Sequence, residues 1–138
     1  EKNMAKQIFV NSPVKNLQSS IEFFTKLSFT FNPQFTDDTA TCMVMSDTIY
    51  AMLLTEEKFQ SFTPKPISDA TKSSEVLIAL ALENRAQVTD MVTKAVAAGG
   101  STYKEAQDMG FMYQHGFQDL DGHIWEVFYM DPIFVQPT

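Results

Sequence analysis

The chain has 138 residues, of which 44% are hydrophobic and 20% are charged, a composition typical of a folded domain and not of a disordered or fibrous chain. A chain of this length buries roughly two-thirds of the surface of its unfolded form, so folding requires neither a disulfide nor a metal. The 17 acidic and 10 basic side chains give a formal net charge of -7, which argues against binding to the phosphate backbone of nucleic acids.

The first half of the chain has the pattern of a strand, a helix and three further strands. Residues 7–11 form a short apolar strand, and Asn16 caps a helix that is expected to end near Leu27. The three strands that follow are predicted at residues 29–35, 40–45 and 49–54. The only cysteine, Cys42, lies in the second of them and is expected to be a buried thiol.

The second half repeats this order after a segment without helical or strand periodicity. That segment, residues 60–74, contains two prolines and is predicted to be a linker. A strand at residues 75–82 precedes a helix that begins at Asn84, with Gln87 placed as in a capping box, and ends at Gly99. Three further strands are predicted at residues 101–105, 111–118 and 123–130.

A strand and helix pattern that recurs after a linker indicates two copies of one structural unit. We therefore predict an α+β fold of two βαβββ modules, at residues 7–58 and 75–131, within a single domain of residues 1–138. The two mixed sheets are expected to form a curved, half-open barrel with flanking helices. The concave surface of such a barrel is the default site for a ligand.

Two segments carry a resemblance to a known family: FVNSPVKNL at residues 9–17, continued by IEFF at residues 21–24, and FQDLDGHIWEV at residues 117–127. They resemble the vicinal oxygen chelate superfamily, which includes glyoxalases, bleomycin-resistance proteins and extradiol dioxygenases. The second segment is similar to the family's aspartate-proline-aspartate-glycine turn, with Leu120 in place of the proline, followed by a strand with a glutamate, here Glu126. The resemblance covers nearly the whole chain, and it implies a glyoxalase-like fold and a homodimer.

Metal-dependent members of this superfamily hold a divalent ion on four side chains, usually His, Gln or Glu, one from each of four inner strands. The resemblance puts these positions at Phe9, at Ala51 or Met52, near Leu77 and at Glu126. Phenylalanine, alanine and leucine cannot bind a metal, and a thioether is a poor ligand for the hard or borderline ions of this family. Since one carboxylate does not make a metal site, we expect no metal cofactor.

The alternative is a divalent metal with Glu126 as the only family ligand retained. A shift of two residues along two of the strands would bring Asn11 and Glu75 to Glu126 and supply further oxygen ligands. Without a metal, Glu126 is expected to be the catalytic or polar group of an otherwise apolar cavity. The side chains predicted to bind the ligand beside it are Phe9, Asn11, Met52, Leu77, Met112, Gln114 and Phe128.

The orientation of His115 depends on the turn of the last hairpin. If residues 120–122 form the turn with the glycine in the left-handed conformation, Gly116 pairs with Glu126 and His115 points away from the carboxylate. If residues 121–122 alone form the turn, the register shifts and His115 becomes a diagonal neighbour of Glu126. The first arrangement is favoured.

These observations favour a protein that binds a small hydrophobic, aromatic or cationic molecule. The alternative is a metal-dependent enzyme that resembles a lactoylglutathione lyase or an extradiol dioxygenase. No signal peptide is evident, and no apolar run approaches the roughly 20 residues of a membrane span. We therefore expect a cytoplasmic protein whose partner is a small molecule and neither nucleic acid nor a membrane, and the family resemblance implies that it is a homodimer.

Overall fold

The computed structural model describes residues 4–134, which divide into two compact units between Ser68 and Asp69. The helices and strands of the first unit are, in order, β1 (Ile8–Val14), α1 (Leu17–Lys26), β2 (Thr30–Asn32), β3 (Ala40–Val44), β4 (Ile49–Thr55) and α2 (Glu56–Gln60). Its four strands form a mixed sheet in the order β1-β4-β3-β2, in which only β1 and β4 are parallel.

One face of the first sheet is buried beneath α1, and the alternation of the strands decides which residues lie there. Ala51 and Leu53 of β4 are at most 1% exposed, and Phe23 and Phe24 are the equally buried side chains of α1. The helix begins as predicted, since the side chain of Asn16 accepts a hydrogen bond from the amide of Ser19 at 2.9 Å.

The second unit repeats the order from β1 to β4: β5 (Leu77–Ala81), α3 (Arg85–Ala97), β6 (Gln107–Asp108), β7 (Met112–Gln118) and β8 (Ile124–Met130). Its sheet has the order β5-β8-β7-β6, again with a parallel pair, β5 and β8, and antiparallel pairs elsewhere. This repetition confirms the predicted α+β fold of two βαβββ modules with mixed sheets. Neither sheet closes on itself.

The helix α3 packs against β7 and β8 through Val88, Val92 and Ala95. Its predicted start is confirmed by two hydrogen bonds. The side chain of Asn84 accepts from the amide of Gln87 at 2.8 Å, and the side chain of Gln87 accepts from the amide of Glu83 at 2.9 Å.

Among the described residues, no helix is both long and apolar enough to cross a membrane.

Two predicted strands need correction, and one helix was not predicted. The strand predicted at residues 101–105 is wrong, because only Ser101 forms an isolated bridge, to Gln118, and the short edge strand lies later, at Gln107–Asp108. The strand predicted at 29–35 is limited to three residues, since a 3₁₀ turn begins at Pro33, which has no amide hydrogen for a sheet. The unpredicted helix is α2.

The turn between β7 and β8 is built around the buried carboxylate of Asp119. Its Oδ1 accepts from the amides of Asp121 at 2.9 Å and His123 at 3.1 Å, and its Oδ2 accepts from the indole of Trp125 at 3.0 Å. Burial raises the pKa of Asp119, against the opposing effects of His123 and of these hydrogen bonds. The first aspartate of the family-like turn therefore has a structural role.

A second buried contact joins this turn to the segment before β5. The Nδ1 atom of His123 donates to Oε1 of Glu75 at 3.0 Å, and the imidazole is almost completely buried. His123 is therefore a hydrogen-bonded core residue.

Candidate functional site

Five of the predicted site residues share one face of the second sheet, the face away from α3. They alternate with buried side chains such as Trp125 and Val127, which point towards the helix. We call this surface the Glu126 face; the side chains that define it are Leu77 and Ala79 of β5, Met112, Gln114 and Gly116 of β7, and Glu126 and Phe128 of β8. Its members from β7 and β8 other than Gly116 are half-buried.

Glu126 lies at the centre of this face, with Ala79 opposite it on β5 and Gly116 opposite it on β7. The Nε2 atom of Gln114 donates a hydrogen bond to Oε2 of Glu126 at 2.9 Å. No basic side chain within residues 4–134 forms an ion pair with this carboxylate. The face thus presents a half-buried negative charge among apolar groups, oriented by one neutral amide.

The pairing of Gly116 with Glu126 confirms the favoured register of the hairpin, and Gly122 has the expected positive φ, of 86°. His115 consequently pairs with Val127 and lies on the other face of the sheet. Its Nε2 atom donates to the carbonyl of Lys104 at 3.1 Å. His115 is therefore not part of the Glu126 face.

Tyr103 is a member of this site that the sequence analysis did not identify. Its hydroxyl lies over Gly116, is closed off from solvent and has no hydrogen-bond partner among the described residues. Burial raises the pKa of Tyr103, and the negative charge of Glu126 raises it further. The glycine within β7 was the available signal, because a glycine inside a strand often marks a close approach by another group.

Gly116 is required for this arrangement. A Cβ atom at this position would overlap the Tyr103 hydroxyl and would lie 2.9 Å from the carbonyl oxygen of Trp125. The absence of a side chain is what lets the tyrosine ring lie across β7.

The remaining predicted residues, Phe9, Asn11 and Met52, lie on the face of the first sheet away from α1. Asn11 pairs with Met52, and Phe9 pairs with Tyr50 and stacks on its ring with 4.7 Å between centroids. The register also decides between the two residues that the sequence left open at the second ligand position. Ala51 is fully buried on the helix side, so Met52 is the residue on the same face as Phe9.

The side chains of the Glu126 face do not fit the metal centre that the resemblance implies. Together with the adjacent Tyr103 they provide one carboxylate, one amide that is already hydrogen-bonded to it and one phenol, whereas divalent ions in such sites take three or four protein ligands. The sequence analysis considered Glu75 as a further metal ligand, but its carboxylate accepts a hydrogen bond from His123. Across residues 4–134, no three His, Cys, Asp or Glu side chains form a group that could hold a metal.

An open groove also runs along α3 on the other side of the second sheet. It has a volume of 560 Å³ and is lined by Arg85, Thr89, Asp90, Thr93 and Tyr113, among others. Arg85 is already bound there by Asp108 through two hydrogen bonds of 2.7 and 3.1 Å. Since these charges neutralise each other, the Glu126 face is the better candidate site.

The comparisons with known proteins agree with this fold. Residues 7–127 match the Glyoxalase/Bleomycin resistance protein/Dioxygenase superfamily. No curated protein matches the chain. Among solved structures, the chain is similar to hypothetical protein SA1046 from S. aureus, with 26% identity, a TM-score of 0.77 and coverage of 92% of this chain and 95% of that one.

Two further similar structures carry family names. One is a glyoxalase/bleomycin resistance protein/dioxygenase family enzyme from Burkholderia phytofirmans PsJN, with 13% identity, a TM-score of 0.75 and coverage of 88% and 96% of the two chains. The other is a glyoxalase-related enzyme from Fulvimarina pelagi, with 19% identity, a TM-score of 0.75 and coverage of 91% and 88%. The chain belongs to the glyoxalase/bleomycin resistance protein/dioxygenase superfamily.

Proposed function

We propose that this protein binds a small hydrophobic, aromatic or cationic molecule on the Glu126 face, without the metal centre of the metal-dependent members of its superfamily. The observation that carries the proposal is the carboxylate of Glu126, which lies among apolar side chains with Gln114 as its hydrogen-bond donor at 2.9 Å. A half-buried carboxylate without a basic partner favours a ligand that brings a positive charge or a hydrogen-bond donor. The apolar groups around it suit the remainder of such a molecule.

Charge and side-chain chemistry both support this proposal. The net charge of -7 favours the approach of cations over anions. Met112 adapts its shape readily, and Phe128 offers an aromatic surface, so the two suit an irregular or flat apolar ligand. Phe9, Asn11 and Met52, on the face of the first sheet away from α1, are also proposed as ligand contacts.

The metal content of the protein provides the test. We expect elemental analysis of the purified protein to find metal far below one equivalent, and we expect Ni²⁺, Zn²⁺, Mn²⁺ and Fe²⁺ to give no thermal shift that depends on Glu126. Glu126→Ala is the test variant, and Glu105→Ala, at an exposed carboxylate, is its matched control. Stoichiometric metal that Glu126→Ala removes and Glu105→Ala retains would overturn the proposal.

That outcome would favour the alternative function, a metal-dependent enzyme with Glu126 as ligand or base. The superfamily includes glyoxalases and dioxygenases, so hemithioacetal and catechol substrates are the ones to assay in that case.

We also infer that the protein is a homodimer. Each unit leaves apolar residues exposed in its first strand or next to it: Ile8 and Phe9 of the first unit are 54% and 46% exposed, and Val76 and Leu77 of the second are each 52% exposed. Exposed apolar groups of this kind are often covered by a second subunit. Light scattering after gel filtration is expected to give twice the 15.6 kDa chain mass, and a monomer at high concentration would contradict the proposed homodimer.

The cytoplasmic location stays a prediction.

A further inference from the structure

We propose that Tyr103 is the specificity-determining residue of the Glu126 face and that, with Glu126 and Gln114, it selects ligands with a primary ammonium group. This inference rests on the proposed function of the face. It narrows the class of ligand from small apolar or cationic molecules to amines that carry N–H donors.

The first observation is the buried hydroxyl of Tyr103. It lies over Gly116, next to Glu126, and forms no hydrogen bond within the described part of the chain. A buried polar group without a partner costs free energy and calls for a structural or functional reason. A ligand that supplies the missing hydrogen bond recovers that cost, whereas a ligand that lacks it does not.

The second observation is the set of acceptor atoms around this hydroxyl. Gln114 uses its Nε2 to donate to Oε2 of Glu126, which leaves the amide oxygen of Gln114 and Oε1 of Glu126 without a hydrogen bond to the described residues. With the Tyr103 oxygen they make three acceptors. A primary ammonium has three N–H donors and no acceptor. It can therefore donate one hydrogen bond to each of these three acceptors. A quaternary ammonium carries the same charge but has no N–H to donate.

The third observation concerns access to the hydroxyl. Tyr103 belongs to the irregular segment between Ser101 and β6, while Gln114 and Glu126 are half-buried on the sheet. In the proposed order of events, a cation contacts Glu126 first, and a change of rotamer in Gln114 and Glu126 then exposes the buried Tyr103 hydroxyl to it. The hydroxyl thus discriminates between ligands after the carboxylate has attracted them.

Three probes with the same aromatic ring separate charge from hydrogen bonding. They are 2-phenylethylamine, its N,N,N-trimethylammonium analogue and neutral 2-phenylethanol, each titrated calorimetrically into the purified protein. The wild-type protein is expected to bind the primary amine most tightly. Tyr103→Phe is expected to weaken the primary amine about tenfold, as for one hydrogen bond to a charged group, and to leave the trimethylammonium probe unchanged.

Tyr113→Phe is the matched control, because Tyr113 lies on the α3 side of the same sheet. It is expected to change none of the three affinities. Equal binding of all three probes, or an equal effect of Tyr103→Phe on both cations, would overturn the role of Tyr103 while the proposed function stands. Failure of the wild-type protein to bind any of the probes would overturn both.

Discussion

The indole nitrogen of Trp125 donates to the carboxylate of Asp119 at 3.0 Å, and both side chains are buried. Since neighbouring strand residues point to opposite faces, fixing Trp125 on the α3 side also fixes Glu126 on the other side. The aspartate of the turn thus orients the candidate site without belonging to it.

Replacement of Asp119 by alanine is expected to lower the free energy of unfolding by about 2 to 4 kcal/mol, because it leaves three N–H donors in a buried turn without their acceptor. Urea denaturation followed by Trp125 fluorescence measures this change. Asp38→Ala, at an exposed aspartate, is the control and is expected to change stability by less than about 0.5 kcal/mol. Equal effects of the two substitutions would show that the network does not stabilise the turn.

Replacement of Tyr103 by phenylalanine is expected to preserve the free energy of unfolding or raise it by up to about 1 kcal/mol, because it removes a buried hydroxyl that has no partner among residues 4–134. The comparison is Tyr50→Phe, which deletes a hydroxyl that donates to the carbonyl of Asp47 at 2.7 Å. That variant is expected to lose about 0.5 to 1 kcal/mol. A loss in the Tyr103 variant as large as in the Tyr50 variant would mean that the Tyr103 hydroxyl is hydrogen-bonded in solution.

Replacement of Gly116 by alanine is expected to destabilise the second unit by about 1 to 3 kcal/mol, since the new methyl group overlaps the Tyr103 hydroxyl. The same substitution in a Tyr103→Phe background is expected to cost less, although the contact with the Trp125 carbonyl remains. A double-mutant cycle of unfolding free energies measures the difference. Additive effects would show that the hydroxyl and Gly116 are not in contact.

Asp108 gives a prediction of pH dependence. Hydrogen bonds from the Arg85 guanidinium and from the amide of Gly110 hold the pKa of this carboxyl below its ordinary value of 3.8. The stability that it contributes is therefore present above pH 3.8 and is lost as the pH falls through the lower, folded-state pKa. The urea midpoints of wild type and Asp108→Asn are expected to differ at neutral pH and to converge in acid, with Asp38→Asn as the control. A difference that widens in acid would reverse this assignment.

The hairpin that carries Glu126 was predictable from its turn. Gly122 permits the left-handed conformation, and this sets the register that pairs Gly116 with Glu126. The helix starts at Asn16 and Asn84 were predictable for the same local reason, since each cap involves residues within one turn.

The features that depend on distant residues were not predictable in this way. Residues 101–105 have the composition of a strand, yet Tyr103 lies across β7 because Gly116, thirteen positions later in the printed sequence, has no side chain. Alternation likewise left Ala51 and Met52 as equal choices at the second ligand position, and the parallel pairing of β4 with β1 decides between them.

In each unit the first strand pairs in parallel with the last, β1 with β4 and β5 with β8. During synthesis, β1 thus leaves the ribosome long before its neighbour in the sheet exists, and its amide groups stay bonded to water until then. The same holds for β5, whose partner carries Glu126. Each sheet is therefore completed in one late event that depends on long-range contacts, and this dependence slows folding. Until that event, the unpaired nascent strands are most exposed to aggregation.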